Sequence, residues 1–432
     1  MKNVIIVLFA TSLISQTWEP YHVEELNKYK NYDYNYIIPD SLTSIITISN
    51  NNRTTLTHEI IGYLPYWEYE HYPSFNYNLL TQINFFSVEL SPNGNIQNTH
   101  NWENLDIVEY AHSQGVKIKL CATLFGQSEL EILLSNPTYR NNAINNLLNL
   151  VLLKNADGID IDFELVPYSQ RDNLVLFMQE LSTAFHNGID NPIITMATPA
   201  IDWSNAWDYN ALAQITDGLF IMGYNYFYSG SEAAGPVSPL GGYYYDLEYT
   251  INDYITKTNG QVDKLILGLP YYGYDWPVEN SISNSETTGP GIARFYSTAI
   301  EIADEYGATY DDESNTPWSG YYSNNWQQCW YDDSLSLSEK YNFAKNQNLQ
   351  GIGIWALGYD DGHVALWNNI DNHFSHNLIG DLNFDNVLNV QDIILLVNII
   401  LDTGNSNSIA DINVDGTINI LDIIELINLI FN

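Results

Sequence analysis

Eight short apolar runs alternate with helix-like segments between residue 59 and about residue 371, and this alternation limits the fold more than any other feature of the chain. The runs are IIGYLPYW from Ile60, LLTQINFFSVEL from Leu79, VKIKLCATLF from Val116, GIDIDFEL from Gly158, IITMATPA from Ile193, GLFIMGYNYF from Gly218, KLILGLPYYGY from Lys264 and GIGIWAL from Gly351. Strand-like runs that alternate with helices are typical of βα units around a parallel sheet. Eight units over roughly 310 residues predict an α/β fold, a (β/α)8 TIM barrel.

The segments outside these runs suggest how the chain is divided. The connection over residues 275–333, after strand seven, is too long for a plain βα loop, so it predicts a small inserted subdomain or lid. Residues 1–16 have one Lys before an apolar stretch that is too short to span a bilayer. This pattern predicts a signal peptide and a secreted, extracellular or cell-surface protein; the alternative is a buried first helix. Residues 17–58 show no clear periodicity, and we interpret them as a lead-in to a barrel over residues 59–376.

Composition excludes some classes of partner. The chain has 52 Asp and Glu against 14 Lys and Arg, a formal net charge of −38. Such a charge repels nucleic acid and anionic membranes, and it suits a neutral or cationic partner, although an acidic surface also serves solubility. The two cysteines, Cys121 and Cys329, do not make a disulfide framework, and the sequence leaves open whether they form one bridge.

Four acids are crowded into the apolar fourth run, ADGIDIDFE. Side chains alternate along a strand, so Asp160, Asp162 and Glu164 face the barrel interior, and Glu164 lies nearest the C-terminal mouth where barrel enzymes hold their chemistry. We expect the two aspartates to share a proton and Glu164 to carry one near neutral pH, as a general acid does. Asp157 has the other parity, which predicts a structural role at the start of the strand. Metal binding and a two-carboxylate glycosidase remain alternatives on these residues alone.

The same stretch resembles the DxxDxDxE signature of glycoside hydrolase family 18, the chitinases and their relatives. Further motifs that resemble the family follow in the same order along the chain: MGYN at Met222, GLPYYGYDW at Gly268, CWYDDSLSLSEKY at Cys329 and GIGIWALGYDD at Gly351. The likeness covers about residues 60–361. It implies a retaining glycosidase in which the acetamido oxygen of the substrate itself attacks the anomeric carbon and forms an oxazolinium ion.

The resemblance also implies roles for individual residues. Glu164 would protonate the leaving oxygen, and Asp162 would accept a hydrogen bond from the acetamido N–H. Asp160 would hold the shared proton and help to orient Asp162, and Tyr224 would donate its hydroxyl to the acetamido group. The residues expected to bind the substrate are Trp355, as the floor under the cleaved sugar, Tyr63, Met222, Asn225 and Tyr271. Asn225 stands where the family usually has Asp, a loss of charge that predicts a shifted pH optimum.

The resemblance implies a substrate that contains N-acetylglucosamine, such as chitin or chitooligosaccharides with β-1,4 linkages. Peptidoglycan trimming is an alternative, because that polymer carries the same sugar. A non-catalytic chitin-binding lectin on the same barrel is a third interpretation, and the presence of Glu164 argues against it. The catalytic domain should need no cofactor.

The last part of the chain, residues 379–432, contains two copies of an Asx-rich loop thirty residues apart, each followed by one apolar helix-like segment. Positions 1, 3, 5, 9 and 12 of a calcium loop are filled in both copies. The candidate metal ligands are Asp381, Asn383, Asp385, Asn389 and Asp392 in the first copy, and Asp411, Asn413, Asp415, Asn419 and Asp422 in the second.

This repeat resembles the dockerin type I module, and less closely a pair of EF-hands. The resemblance implies a small all-α domain with two Ca²⁺ ions and a cohesin-type partner on a scaffold. The residues just before the last ligand, Val390-Gln391 and Ile420-Leu421, are not the polar pair common in dockerins, so attachment, secretion or stability are alternative roles.

Overall fold

The computed structural model describes residues 20–32, 54–375, 379–383, 387–401, 410–413 and 415–431. The predicted signal peptide and the candidate ligand Asp385 lie outside these residues. The strands are β1 (Glu59–Pro65), β2 (Gln82–Leu90), β3 (Ile96–Asn98), β4 (Lys117–Phe125), β5 (Gly158–Glu164), β6 (Ile193–Pro199), β7 (Gly218–Met222), β8 (Leu265–Pro270), β9 (Tyr272–Val278), β10 (Ile292–Phe295), β11 (Thr309–Tyr310), β12 (Pro317–Ser323), β13 (Asn325–Trp330) and β14 (Gly351–Trp355).

The helices are α1 (Tyr21–Tyr29), α2 (Ile107–Ser113), α3 (Gln127–Ser135), α4 (Pro137–Lys154), α5 (Arg171–Gly188), α6 (Tyr209–Ile215), α7 (Leu247–Lys257), α8 (Tyr296–Tyr306), α9 (Ser334–Asn346), α10 (Val364–Phe374), α11 (Val390–Leu401) and α12 (Ile420–Phe431). Helices α2 to α10 lie between or after the strands, α1 precedes β1, and α11 and α12 belong to the C-terminal repeat. None of the helices in the described part of the chain is long and apolar enough to cross a bilayer.

The predicted barrel is confirmed. Strands β1, β2, β4, β5, β6, β7, β8 and β14 pair in parallel in this order, and β14 returns to β1 to close the sheet. All eight apolar runs supply one strand each. Since every strand leaves its carboxyl end at the same mouth, the ends of β5, β7 and β14 meet there, and these ends carry the predicted site.

The seventh run behaves differently from the single strand predicted from Lys264 to Tyr274. Strand β8 ends at Pro270, and β9 begins at Tyr272 as part of a second, antiparallel sheet of five strands in the order β10-β9-β13-β12-β11. This sheet and helix α8 form the insertion after strand seven, and it lies beside the mouth of the barrel through β9.

The barrel interior below the site is filled by one aromatic ring. Phe220 of β7 is buried, and its ring lies 4.7 Å from the ring of Tyr63 of β1. A Cβ atom on Gly353 would lie 1.9 Å from this ring and one on Gly268 would lie 2.4 Å from it. The glycines of the GIGIW and GLP motifs therefore make room for Phe220, which supports the residues above it.

The cysteines and the N-terminal segment complete the outcome of the fold predictions. Cys121, inside the barrel, and Cys329, in the second sheet, are both buried and unpaired, so they do not form a bridge. Within the lead-in of residues 17–58, residues 21–29 form helix α1, which packs on the barrel.

Candidate active site

The three inward acids of β5 lie at different depths below the mouth of the barrel, with Glu164 nearest the mouth and Asp160 deepest. Asp160 and Asp162 are fully buried, and Glu164 at the carboxyl end of the strand is 6% exposed. Asp160 accepts hydrogen bonds from the Tyr63 hydroxyl at 2.6 Å and from the Thr195 hydroxyl at 2.5 Å. Strands β1 and β6 thus supply one donor to each oxygen of the deepest carboxyl group, as a buried polar group requires.

A buried cation lies below this carboxylate. The ammonium group of Lys119, on β4, donates a hydrogen bond to the Thr195 hydroxyl at 2.7 Å, and Thr195 in turn donates to Asp160. Burial lowers the pKa of Lys119 to about 8, although the charge of Asp160 acts in the opposite direction. The lysine therefore offsets part of the negative charge crowded on β5.

Asp162 pairs with a residue from outside the barrel strands. Its Oδ2 lies 2.7 Å from Nδ1 of His22, on helix α1, and its other oxygen has no hydrogen-bond partner. Asp160 and Asp162 are not joined by a hydrogen bond in the described part of the chain, because both Asp160 oxygens accept from Tyr63 and Thr195 and the Asp162 Oδ2 faces His22. The proton expected to be shared between them stays a prediction. Burial raises the pKa of Asp162 to about 7, against the lowering effect of His22.

His22 makes contact with every predicted catalytic group near the mouth. Its Nδ1 lies 3.1 Å from Glu164 Oε1, its Nε2 lies 2.9 Å from the Tyr224 hydroxyl, and its ring is stacked on Trp355 with centroids 3.7 Å apart. Burial disfavours a charged imidazole, but the carboxylates of Asp162 and Glu164 raise the pKa of His22 to about 10. The imidazole is therefore a cation at neutral pH, with an N–H at each nitrogen.

Glu164 also borders open space. A cavity of about 600 Å³ is lined by Glu164, Met222, Tyr224, Asn225 and Trp203, among other residues, and by Pro20, Tyr21 and His22 of the N-terminal segment. Trp203 is 64% exposed, and its ring lies 5.0 Å from that of Tyr245. The acid at the end of β5 thus borders a cleft with aromatic walls.

The other predicted binding residues are divided between the cleft and the core. Met222 and Asn225 line the cleft, and the Asn225 amide oxygen accepts a hydrogen bond from Tyr272 at 2.7 Å. Trp355 lies under His22. Tyr63 lies deeper, between Phe220 and Trp355, so it positions Asp160 and does not line the cleft.

The assignment of Tyr271 to substrate binding is corrected by the structure. Its ring is buried on the outer side of the barrel, with its hydroxyl 3.4 Å from that of Tyr341 on helix α9. The adjacent Tyr272 has the inward parity and faces the site, because side chains alternate along the extended chain.

Asp157 lies at the opposite end of β5 from the mouth. It accepts a hydrogen bond from the Ile118 amide at 2.9 Å and from Lys117 at 2.7 Å, and one of its oxygens lies 2.7 Å from His112. Burial opposes ionisation, but these donors lower the pKa of Asp157 to about 2. The residue ties the starts of β4 and β5 together.

Comparison with known proteins establishes the family. The family model described as "Glycosyl hydrolases family 18" matches residues 59–360, which include every barrel strand. The chain belongs to this family. It is accordingly a glycoside hydrolase, and enzymes of this family need no cofactor for catalysis.

Individual members of family 18 resemble the chain over its barrel. "Putative sporulation-specific glycosylase YdhD" of Bacillus subtilis is 30% identical over 311 residues, which is 66% of this chain and 68% of that protein. Human di-N-acetylchitobiase is 28% identical over 299 residues, 60% of this chain and 72% of the human protein. The crystal structure of the Group IV chitinase of Ostrinia furnacalis in complex with allosamidin, 18% identical, has a TM-score of 0.66 and covers 73% of this chain and 98% of that one, which shows the shared fold.

Sequence reasoning missed three residues around this site, Lys119, Trp203 and Tyr272, and it also missed His22 of helix α1, which lies over the site. Lys119 stands at an inward position of the third run, where a charge among apolar residues could have marked it. Tyr272 follows from the alternation within GLPYYGY. Trp203 lies in a loop without a pattern. His22 had a weaker signal, because the buried side of YHVEELNKY is formed by Tyr21, His22 and Glu25, residues that no hydropathy pattern selects.

The C-terminal loops have a common internal structure. Asp392 is buried, and its carboxylate accepts hydrogen bonds from the amides of Leu382, Asn383 and Asn389. Asp422 does the same with the amides of the equivalent positions, Ile412, Asn413 and Asn419.

In the second loop, Asp411 accepts hydrogen bonds from the amides of Asp415 and Gly416, and Asn413 accepts one from the Asp415 amide. Helices α11 and α12 share a small apolar core that includes Leu396 and Leu426. The oxygen-rich donor set suits a hard cation, and both position-12 aspartates also anchor the backbone of their own loops.

Proposed function

We propose that the chain is a secreted retaining glycosidase that hydrolyses β-1,4 linkages of N-acetylglucosamine-containing glycans, chitin or chitooligosaccharides, by substrate-assisted catalysis. One observation carries the proposal. Asp162 and Tyr224 contact opposite nitrogens of a single planar five-membered ring that is stacked on Trp355, while Glu164 lies at the same ring. The site is therefore built to hold a small planar polar group between a carboxylate and a hydroxyl, next to an acid.

An acetamido group in that position satisfies both residues. Its N–H donates a hydrogen bond to Asp162, and its carbonyl oxygen accepts one from the Tyr224 hydroxyl. The apolar face of the pyranose then lies on Trp355, which is the floor of the site. A sugar with a 2-hydroxyl group in place of the amide lacks the length to reach both partners.

The reaction follows from this placement. Glu164 transfers its proton to the glycosidic oxygen, the bond from that oxygen to C1 breaks, and the acetamido oxygen forms a bond to C1. The Asp162 carboxylate stabilises the resulting oxazolinium ion by accepting a hydrogen bond from the N–H of that ring. The Glu164 carboxylate then takes a proton from a water that attacks C1, the ring opens, and two inversions at C1 give retention.

Two features support an N-acetylglucosamine polymer as the substrate. The cleft beyond Glu164 has the exposed Trp203 beside Tyr245, surfaces on which further sugars stack. Among similar proteins, human di-N-acetylchitobiase is named for a disaccharide of this sugar. Peptidoglycan contains the same sugar and is the alternative substrate. A chitin-binding lectin is disfavoured, because Glu164 is present and faces the cleft.

The experiment compares products from N-acetylchitooligosaccharides and from purified peptidoglycan. We expect new reducing ends from the chitin oligomers, and activity on peptidoglycan alone would overturn the substrate assignment. Glu164→Gln should lower kcat by a factor of about 10² to 10⁴, the usual contribution of a general acid. The control is Glu131→Gln on the exposed side of helix α3, which should leave the rate unchanged. Equal rates for both variants would refute the role of Glu164.

We also propose that the C-terminal repeat binds two Ca²⁺ ions and attaches the enzyme to a cohesin-type scaffold, and that residues 1–16 direct secretion. The internal match between the two described loops supports the first part, since both position-12 aspartates anchor equivalent backbone amides. The dockerin-like sequence spacing supports attachment to a cohesin-type scaffold. The proposal that residues 1–16 direct secretion rests on the charge and length of the N-terminal stretch. Detection of the protein in the culture medium, without residues 1–16, tests the last point.

A further inference from the structure

We propose that helix α1 is an autoinhibitory element: His22 occupies the place of the N-acetyl group of the substrate, and the helix has to leave the cleft before a sugar can bind there. The inference rests on the proposed roles of Glu164, Asp162, Tyr224 and Trp355. It adds that the barrel described here is in a closed state.

His22 fills the space between the proposed catalytic groups. His22 is 1% exposed, and it contacts Asp162, Glu164 and Tyr224 at 2.7, 3.1 and 2.9 Å while it covers Trp355. These are the atoms that a substrate has to reach. Two molecules cannot use the same hydrogen-bonding atoms and the same ring face at once, so helix and sugar exclude each other.

The imidazolium ring of His22 is chemically similar to the proposed reaction intermediate. The imidazolium ring of His22 is a planar five-membered cation with an N–H that donates to Asp162, and so is the oxazolinium ring of the proposed intermediate. A site that stabilises the charge of the intermediate binds a similar cation well, because tight binding follows complementarity to the charged, high-energy state. This likeness explains why a histidine, and not an apolar side chain, lies at the centre of an acidic site.

Helix α1 is anchored to the rest of the enzyme by residues other than His22. The Tyr21 ring is stacked on that of Tyr272, with centroids 3.8 Å apart and planes inclined by 2°. The Tyr274 hydroxyl donates to Glu24 at 3.0 Å, and the Tyr359 hydroxyl donates to Glu25, which is 2% exposed. The helix thus contacts the inserted sheet through β9 and the loop after β14.

The far end of α1 is held as well. The ring of Tyr29 is stacked on that of Trp67, with centroids 4.6 Å apart, and the ammonium group of Lys28 lies 5.2 Å from the ring centroid of Phe295 on β10. The contacts are polar and aromatic, with few apolar side chains. Sugar rings stack on aromatic faces, so a bound glycan can replace such contacts when the helix leaves.

The helix leaves part of the cleft open. Pro20, Tyr21 and His22 form one wall of the cavity that Glu164, Trp203 and Tyr245 line on the other side. A glycan can therefore bind beside the helix first and compete with it. Competition of this kind multiplies the apparent affinity for the substrate by the fraction of open enzyme and leaves the rate at saturation unchanged.

The test uses full-length protein with His22→Ala, and Tyr21→Ala as a second variant that leaves the imidazole in place. We expect KM for N-acetylchitooligosaccharides to fall at least about tenfold in His22→Ala, with kcat within about twofold of the parent. Tyr21→Ala should change KM in the same direction by a smaller factor. The control is His186→Ala on the exposed side of helix α5, which should change neither constant. An unchanged or raised KM in both variants would overturn the proposal.

A binding measurement separates this proposal from the catalytic one. Calorimetry with N-acetylchitotetraose compares Glu164→Gln with the double variant His22→Ala/Glu164→Gln. Affinity should rise at least about tenfold in the double variant. If no protein hydrolyses the glycan and yet this rise occurs, the autoinhibitory helix is supported and the catalytic proposal fails. If the parent hydrolyses the glycan and the affinities are equal, the autoinhibitory helix is refuted and the catalytic proposal is supported.

Discussion

The hydroxyl of Tyr63 gives a direct measure of how the barrel tolerates its buried acids. It donates to Asp160 at 2.6 Å, and both residues are fully buried, so water does not replace the bond. Tyr63→Phe removes only that oxygen and keeps the ring against Phe220 and Trp355. A hydrogen bond to a charged group contributes about 1.5 to 3 kcal/mol, whereas a neutral one contributes about 1 kcal/mol. We therefore expect a loss of about 2 kcal/mol in the free energy of unfolding.

This loss converts into a thermal shift. A domain of roughly 300 residues has an unfolding entropy of about 0.6 kcal/mol/K, so 2 kcal/mol lowers Tm by about 3 °C. The matched control is Tyr254→Phe, also fully buried, whose hydroxyl donates to the neutral carbonyl of Pro199 at 2.7 Å. Calorimetry should show about half the shift for this variant. If Tyr63→Phe shifts Tm by no more than Tyr254→Phe does, Asp160 is not a charged acceptor and the electrostatic account of β5 is wrong.

Two further predictions concern pH and metal. Burial opposes a charge on His22, but Asp162 and Glu164 raise its pKa in the closed state from 6.5 to about 10. The other titratable groups around its ring are Tyr224, Tyr63 and Glu25. The contribution of the charged imidazole to closure is therefore complete below about pH 6.5 and is lost as the pH rises through about 10. The ratio of KM for the parent to KM for His22→Ala should accordingly fall as the pH rises from about 6.5 to about 10, and a constant or rising ratio would contradict a cationic imidazole in the site. Calcium removal by a chelator should increase hydrogen exchange in α11 and α12 and leave kcat/KM of the barrel unchanged, with Asp411→Ala reproducing the effect; a repeat whose exchange does not respond to calcium would refute the metal proposal.

The barrel was predictable because its signal is repeated and local. Each strand is an apolar run between helix-like segments, and the inward side of GIDIDFEL follows from alternation alone. The structure has these acids on the inward side of β5, with Glu164 nearest the mouth, as this alternation predicts. The same rule, applied residue by residue to GLPYYGY, would have assigned Tyr272 and not Tyr271 to the cleft.

The partners of the acids were harder to predict, because they come from distant parts of the chain. His22 is 140 residues from Asp162, and its helix buries tyrosine, histidine and glutamate in place of an apolar stripe. Hydrophobic periodicity does not detect a helix whose buried side is complementary to an acidic, aromatic cleft. The group that faces Asp162 thus lies in the N-terminal lead-in, outside the barrel strands.

The central claim is that the amide of the substrate attacks C1, and the most direct test is the rate of hydrolysis of aryl glycosides of N-acetylglucosamine oligomers. In this series, the sugar bonded to the aryl group carries an acetyl, fluoroacetyl, difluoroacetyl or trifluoroacetyl amide. Fluorine withdraws electrons from the amide oxygen and weakens it as a nucleophile, but it hardly changes the size of the sugar. If the amide attacks C1, kcat/KM should fall stepwise with each fluorine. A rate that is independent of fluorine number, or equal cleavage of glycosides that lack the amide, would contradict the account.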